Sequence, residues 1–161
     1  MYLKARLVYF DCKASFSELN DGLVAGIWRI KWVAFITLLR AIGHVLKKVD
    51  ADKWIGLDKI VKDEWGKFKE EKIFNEFIDK ERNNVLKEYE FNAGQNLKVD
   101  PKYIPPKSTP WYSIKDGYYA GKDPRIIGKE ALDWWDSKLK TIEQRWQTSG
   151  IEVCVRKDVC S

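Results

Sequence analysis

Apolar side chains recur every three or four positions along most of this chain, and four stretches carry that repeat far enough to predict helices. In residues 3–19 the repeat runs through Leu3, Leu7, Phe10, Ala14 and Phe16, and Asn20, Asp21 and Gly22 then read as a turn. In residues 23–49 it runs through Trp28, Trp32, Phe35, Leu39, Ile42, Leu46 and Val49, with Ile30, Val33, Ile36 and Leu38 filling much of the remaining circumference. A helix apolar on most sides belongs at the centre of a bundle. Residues 57–91 are charge-rich, with an apolar side of Ile60, Trp65, Phe68, Phe74, Ile78, Val85 and Tyr89, and Gly66 marks a kink or a division. The fourth helix has the clearest start, with Asp123 as N-cap and Pro124 at the first helical position. Its stripe of Ile127, Ala131, Trp135, Leu139, Ile142 and Trp146 ends at Gly150.

Between residues 92 and 122 the repeat dissolves. Four of the five prolines fall there, with Asn92, Gly94, Gly117 and Gly121 adding turn chemistry. A connection this long has structure or work of its own, and Lys98-Val99 with Trp111-Tyr112-Ser113-Ile114 suits a small hairpin packed on the bundle. The expected fold is therefore an all-α four-helix bundle with a long Pro/Gly-rich insertion, one domain over residues 1–150. Residues 151–161 follow as a tail whose start alternates like a short strand.

Composition narrows the chemistry. With 161 residues, 45% of them hydrophobic, the chain has the means for one core, which excludes disorder and collagen-like arrays. The formal net charge of +5 permits an anionic partner without demanding one, since it is spread over the chain with no basic arm. Cys12, Cys154 and Cys160 are too few to staple a domain, and His44 is the single histidine, so neither a disulfide scaffold nor a zinc site is expected. No metal and no cofactor are predicted. The apolar run over residues 22–46 is interrupted by Arg29, Lys31 and Arg40, and no signal-peptide core precedes it, so a cytoplasmic protein without a membrane partner is expected. Dinucleotide, P-loop, zincin and serine-hydrolase motifs are all missing.

One stretch does carry chemistry: Glu81-Arg82-Asn83-Asn84-Val85-Leu86-Lys87-Glu88-Tyr89. It resembles the RNxxxHxY signature of the HEPN superfamily, small helical domains that include RNA-cleaving toxins and defence ribonucleases. Arg82 and Asn83 match the opening pair and Tyr89 the closing tyrosine, while Lys87 stands where the family has histidine. A guanidinium presents a planar fork of donors suited to phosphate oxygens, and a histidine exchanges protons near neutral pH. A lysine ammonium holds a phosphate electrostatically but is a poor base there. The resemblance thus implies an RNA-associated, toxin–antitoxin or defence-related domain, a homodimer, with weak or absent metal-independent ribonuclease activity. Arg82, Asn83 and Lys87 are its candidate catalytic residues.

Arg40 and His44, four residues apart, share a face of the second helix with Thr37 and Lys47 beside them. Either they meet Arg82 or Glu81 across the bundle and build one polar pocket, with His44 as the proton carrier in place of Lys87, or Arg40 pairs with Glu81 or Glu76 in an ion pair that fixes helix register. For Arg82 the plain alternative is an ion pair with an acid of a neighbouring helix, and for Lys87 a solvated side chain. Five tryptophans (Trp28, Trp32, Trp65, Trp135 and Trp146) lie on helical stripes and belong to the core. Trp111, Tyr112, Tyr118 and Tyr119 lie in the insertion with Lys107, Lys115 and Lys122 interleaved. Arg40, Tyr89, Trp111, Tyr112 and Lys115 are the candidate binding residues. That aromatic segment supports a second function class, a non-enzymatic protein-interaction module of the antitoxin, immunity or adaptor type.

Overall fold

The hydrophobic stripe of the second predicted helix is the axis on which the molecule is built. The computed structural model describes residues 2–149. Helix α1 (Lys4–Ser17) lies antiparallel to α2 (Ala25–Val45), whose Trp28, Trp32, Phe35, Ile36, Leu39 and Ile42 are all buried. The chain then widens into a π turn, Leu46–Asp50, followed by the short α3 (Ala51–Lys53). The widened turn carries Asp50 to the start of α1, where its carboxylate accepts hydrogen bonds from the backbone N–H groups of Lys4 (2.9 Å) and Ala5 (2.8 Å). Leu3 offers no side-chain cap to α1, so a residue from far along the chain supplies it. Buried Arg6 ties α1 to the last helix through Asp136 (2.5 Å) and Glu143 (2.7 Å).

The charge-rich third segment is two helical pieces, and the division does not fall at Gly66. Helix α4 (Leu57–Phe68) stops after Phe68, and a composite helix follows: a π stretch Ile73–Asp79, α5 (Lys80–Asn83) and a second π stretch Asn84–Glu88. The reason lies in the aromatic spacing. In one continuous helix Phe68 and Phe74 would be about 9 Å apart along the axis and on different faces. The break lets both rings reach Trp134 (centroids 5.2 and 5.8 Å) and Trp135 (5.8 and 6.4 Å), and lets Trp65 meet Phe74 (5.6 Å). Burying these rings together outweighs the few helical hydrogen bonds given up at the turn.

Helix α6 (Pro124–Thr148) starts where the sequence places it, with the Asp123 carboxylate accepting from the Arg125 backbone N–H at 2.8 Å. The five stripe tryptophans are all buried. The insertion contains a two-stranded antiparallel sheet, β1 (Ala93–Asp100) and β2 (Lys107–Ile114), so the fold is mostly helical with one small sheet added. The hairpin is longer than its two predicted pieces, which do not face one another: Lys98 and Val99 pair with Thr109 and Ser108, while Trp111 and Tyr112 pair with Asn96 and Gln95. Its base is buried at Ala93, Tyr112 and Ile114, with β1 packing on α2 and β2 on α6, and its tip leaves Leu97, Val99 and Trp111 exposed. The predicted strand-like tail, with Cys154 and Cys160, lies outside the described residues.

Candidate functional site

Helix α2 and the composite helix 73–88 run side by side, and the cationic residues singled out in the sequence meet along that seam. Thr37, Arg40, Ala41 and His44 from α2 face Arg82 and Leu86 across an open cleft of about 320 Å³. No carboxylate lines it. Arg40 does not pair with Glu81 or Glu76, as its plain alternative required; its Nε donates to Asp79 Oδ1 at 2.9 Å. The Asn83 amide donates to the other Asp79 oxygen (3.4 Å), and Asn83 Oδ1 accepts from Arg82 Nη1 (2.8 Å). The two guanidiniums are thus braced through Asp79 and Asn83. Each guanidinium has five N–H donors, and only the Nε of Arg40 and one Nη of Arg82 take part in this chain.

Aromatic rings hold the Arg40 end in place. Its guanidinium carbon lies 5.8 Å from the centroid of Trp65 and 5.6 Å from that of Phe74, and Lys47 sits 5.2 Å over Trp65. Arg82, which is partly buried, makes no ion pair with a carboxylate among the described residues. Its predecessor Glu81 performs the structural task instead. The carboxyl is buried at 3% exposure and accepts hydrogen bonds from Trp32 Nε1 (2.9 Å) and the Ala93 backbone N–H (3.2 Å), joining α5, α2 and the hairpin. Burial pushes its carboxyl above the usual range, against those two donors. Adjacent positions on one short helix therefore divide the work: Glu81 points inward and locks the frame, and Arg82 opens onto the cleft.

The remaining candidates separate. Lys87 is exposed and does not line the cleft, as its plain reading has it. Tyr89 is not part of the apolar core side but 64% exposed, in the left-handed region at φ 55° and edge-on to Phe91 (5.1 Å). Tyr112, by contrast, is buried: its hydroxyl accepts from Gln95 (2.9 Å), its ring lies 5.2 Å from Trp28, and the Arg125 guanidinium covers it at 3.9 Å. Tyr119 is likewise buried, which leaves Trp111 and Tyr118 as the exposed rings of that segment. Lys115 lies at the base of the hairpin, away from the Arg40–His44–Arg82 cleft.

Asp79 is the residue of this network that sequence reasoning missed, and its signal was present as the four-residue spacing to Asn83. Among the described residues no three His, Cys, Asp or Glu side chains group as a metal site, and no helix is long and apolar enough to cross a membrane. What the cleft offers is an open wall of two braced guanidiniums and one imidazole with no carboxylate among its lining residues, Asp79 engaging only the Nε of Arg40, an arrangement suited to a phosphate or another oxyanion. Comparison with models of known families, with curated proteins and with solved structures gives no match for this chain, so the site is read from its own geometry.

Proposed function

We propose that this chain is an RNA-associated domain of HEPN-like type whose Arg40–His44–Arg82 cleft holds a backbone phosphate. The observation that carries the reading is the convergence of those three side chains on one acid-free cleft, with both guanidiniums oriented by Asp79 and Asn83. In this reading Arg82 and Arg40 grip phosphate oxygens, Asn83 positions Arg82, and the His44 imidazole is the candidate general acid–base. Cleavage is weak or absent, because Lys87 lies outside the cleft and a single imidazole must serve both the attacking and the leaving oxygen. The homodimer implied by the sequence resemblance belongs to the same proposal and is read by sedimentation equilibrium.

The test is binding of fluorescent single-stranded RNA at low salt by the native chain and by Arg82→Ala, with product analysis of the same mixtures. Binding that depends on Arg82, with little or no cleavage, supports the reading; equal binding by both proteins refutes it. A second reading, a protein-interaction module, draws on the exposed apolar hairpin tip of Leu97, Val99, Ile104 and Trp111. It predicts that Leu97→Asp with Trp111→Ala abolishes partner capture while Arg82→Ala leaves it intact. The RNA reading predicts that the tip variant binds RNA normally.

A further inference from the structure

The seam that ends at Arg82 has a second cavity at its other end. Helix α2 presents Arg29 eleven residues before Arg40, three helical turns plus about 20°, so the two positions share one face about 16 Å apart along the helix axis. The segment 82–91 runs antiparallel along that face, placing Arg82 opposite Arg40 and Phe91 opposite Arg29. Around Arg29 lies a cavity of about 300 Å³ bounded by the first turns of α2, by Phe91, by Gly94, Gln95 and Asn96 of β1, and by Lys115 just after β2.

Its chemistry is one-sided. Two cations, Arg29 and Lys115, line it, and no carboxylate does. Arg29 lies 5.8 Å from the Phe91 centroid, a contact that orients the guanidinium without using its N–H donors. Trp28 forms part of the wall at 1% exposure, and its indole N–H has no acceptor. Trp135 has the same unpartnered N–H, but it sits in the core against Gly43 and Phe68. The adjoining cavity of about 450 Å³ around Asn84 and Tyr89 shares Lys115 but is also edged by Glu90 and Asp116, which disfavour an anion there.

We propose that the Arg29–Lys115 cavity is a second phosphate subsite, which takes another phosphate of the same single strand whose backbone is held at Arg40, His44 and Arg82. This rests on the RNA reading above and adds to it a two-point grip with a defined span. At the roughly 3.4 Å per nucleotide of a stacked strand, about 16 Å corresponds to about five nucleotides. A dinucleotide reaches one subsite; five steps take six phosphates, so a 5′-phosphorylated hexanucleotide or a longer strand reaches both.

The experiment measures binding of 5′-phosphorylated oligouridylates of two, six and ten nucleotides to the native chain, to Arg29→Gln/Lys115→Gln, to Arg82→Ala and to Lys129→Ala, a control on the exposed face of α6. For the native chain affinity rises steeply between the dimer and the hexamer. The double variant loses that rise, binding the decamer about tenfold more weakly, with a log–log salt slope shallower by about 0.7, the value of one single-strand phosphate contact. Decamer addition shifts the Trp28 indole N–H resonance in the native chain and not in the double variant. If the double variant binds like the native chain while Arg82→Ala does not, the second subsite is refuted and the cleft stands. If the decamer fails to bind the native chain at low salt, both are refuted. Circular dichroism of each variant separates lost binding from lost folding, and the single Arg29→Gln change serves if the double variant unfolds.

Discussion

Replacing Glu81 isolates the inward half of the Glu81–Arg82 pair. In Glu81→Leu the volume is roughly kept, but the Trp32 indole N–H and the Ala93 backbone N–H lose their common acceptor inside the protein. A buried donor left unsatisfied costs about 1–3 kcal/mol, so two give about 2–6 kcal/mol. Removing a buried carboxylate offsets part of that, and the expected net loss is about 3 kcal/mol, or about 6–12 °C in Tm for a chain of this size. Glu81→Gln retains an acceptor for both donors and stays within about 1 kcal/mol of the native chain. The acidity of the site adds a sign. Because burial raises the folded-state pKa of Glu81, the folded chain holds that proton more tightly than the unfolded chain does. Its contribution to stability is fullest below the unfolded value, about 4.3, and is lost as pH rises through the folded value. The stability of Glu81→Gln relative to the native chain therefore improves as pH is raised from 4.5 to 7.5. Urea denaturation at both pH values, followed by tryptophan fluorescence and circular dichroism, measures all three proteins. A Leu variant as stable as the native chain, or a Gln variant as damaged as the Leu variant, refutes the role given to Glu81.

Asp79→Ala removes the acid that braces Arg40 but not the guanidinium; the pair is partly exposed, so stability changes by less than about 1 kcal/mol while fluorescence anisotropy registers tighter RNA binding at low salt. Gly43→Val destabilises by about 1–3 kcal/mol in thermal melts, since a Cβ there would stand 2.8 Å from a Trp135 ring carbon and 2.9 Å from a Trp65 ring carbon. Asp123→Ala loses the N-cap of α6 and the carboxylate held by Arg125, for a loss of about 1 kcal/mol or somewhat more in urea titrations.

The legible parts of this fold are those written in local periodicity. The stripe of α2, the five buried tryptophans and the Asp123-Pro124 start of α6 are each fixed by spacing within one helix. The break after Phe68 was hidden because both halves of the segment carry a helical repeat; what divides them is the attraction of Phe68 and Phe74 to Trp134 and Trp135 far along the chain. Tyr112 illustrates the same limit. Its sequence suits both a hairpin packed on the bundle and an exposed binding segment; cross-strand pairing with Gln95 settles it by turning the ring onto Trp28 and under Arg125. At the cleft, the helical spacing of Arg40 and His44 and the motif at Arg82 and Asn83 were visible. That they face one another, with Asp79 between the guanidiniums, is decided by tertiary packing and by the widened π winding on both sides of α5.

The salt dependence of RNA binding tests the central claim most directly. Association of a decanucleotide is measured across a range of salt for the native chain and for Arg40→Gln/Arg82→Gln, which keeps uncharged polar side chains in the cleft. A phosphate held between the two guanidiniums predicts a steep inverse dependence for the native chain and a slope reduced by about 0.7 or more in the double variant, with weaker binding throughout. Identical slopes and affinities for the two proteins would contradict the account, leaving the two braced arginines as framework alone.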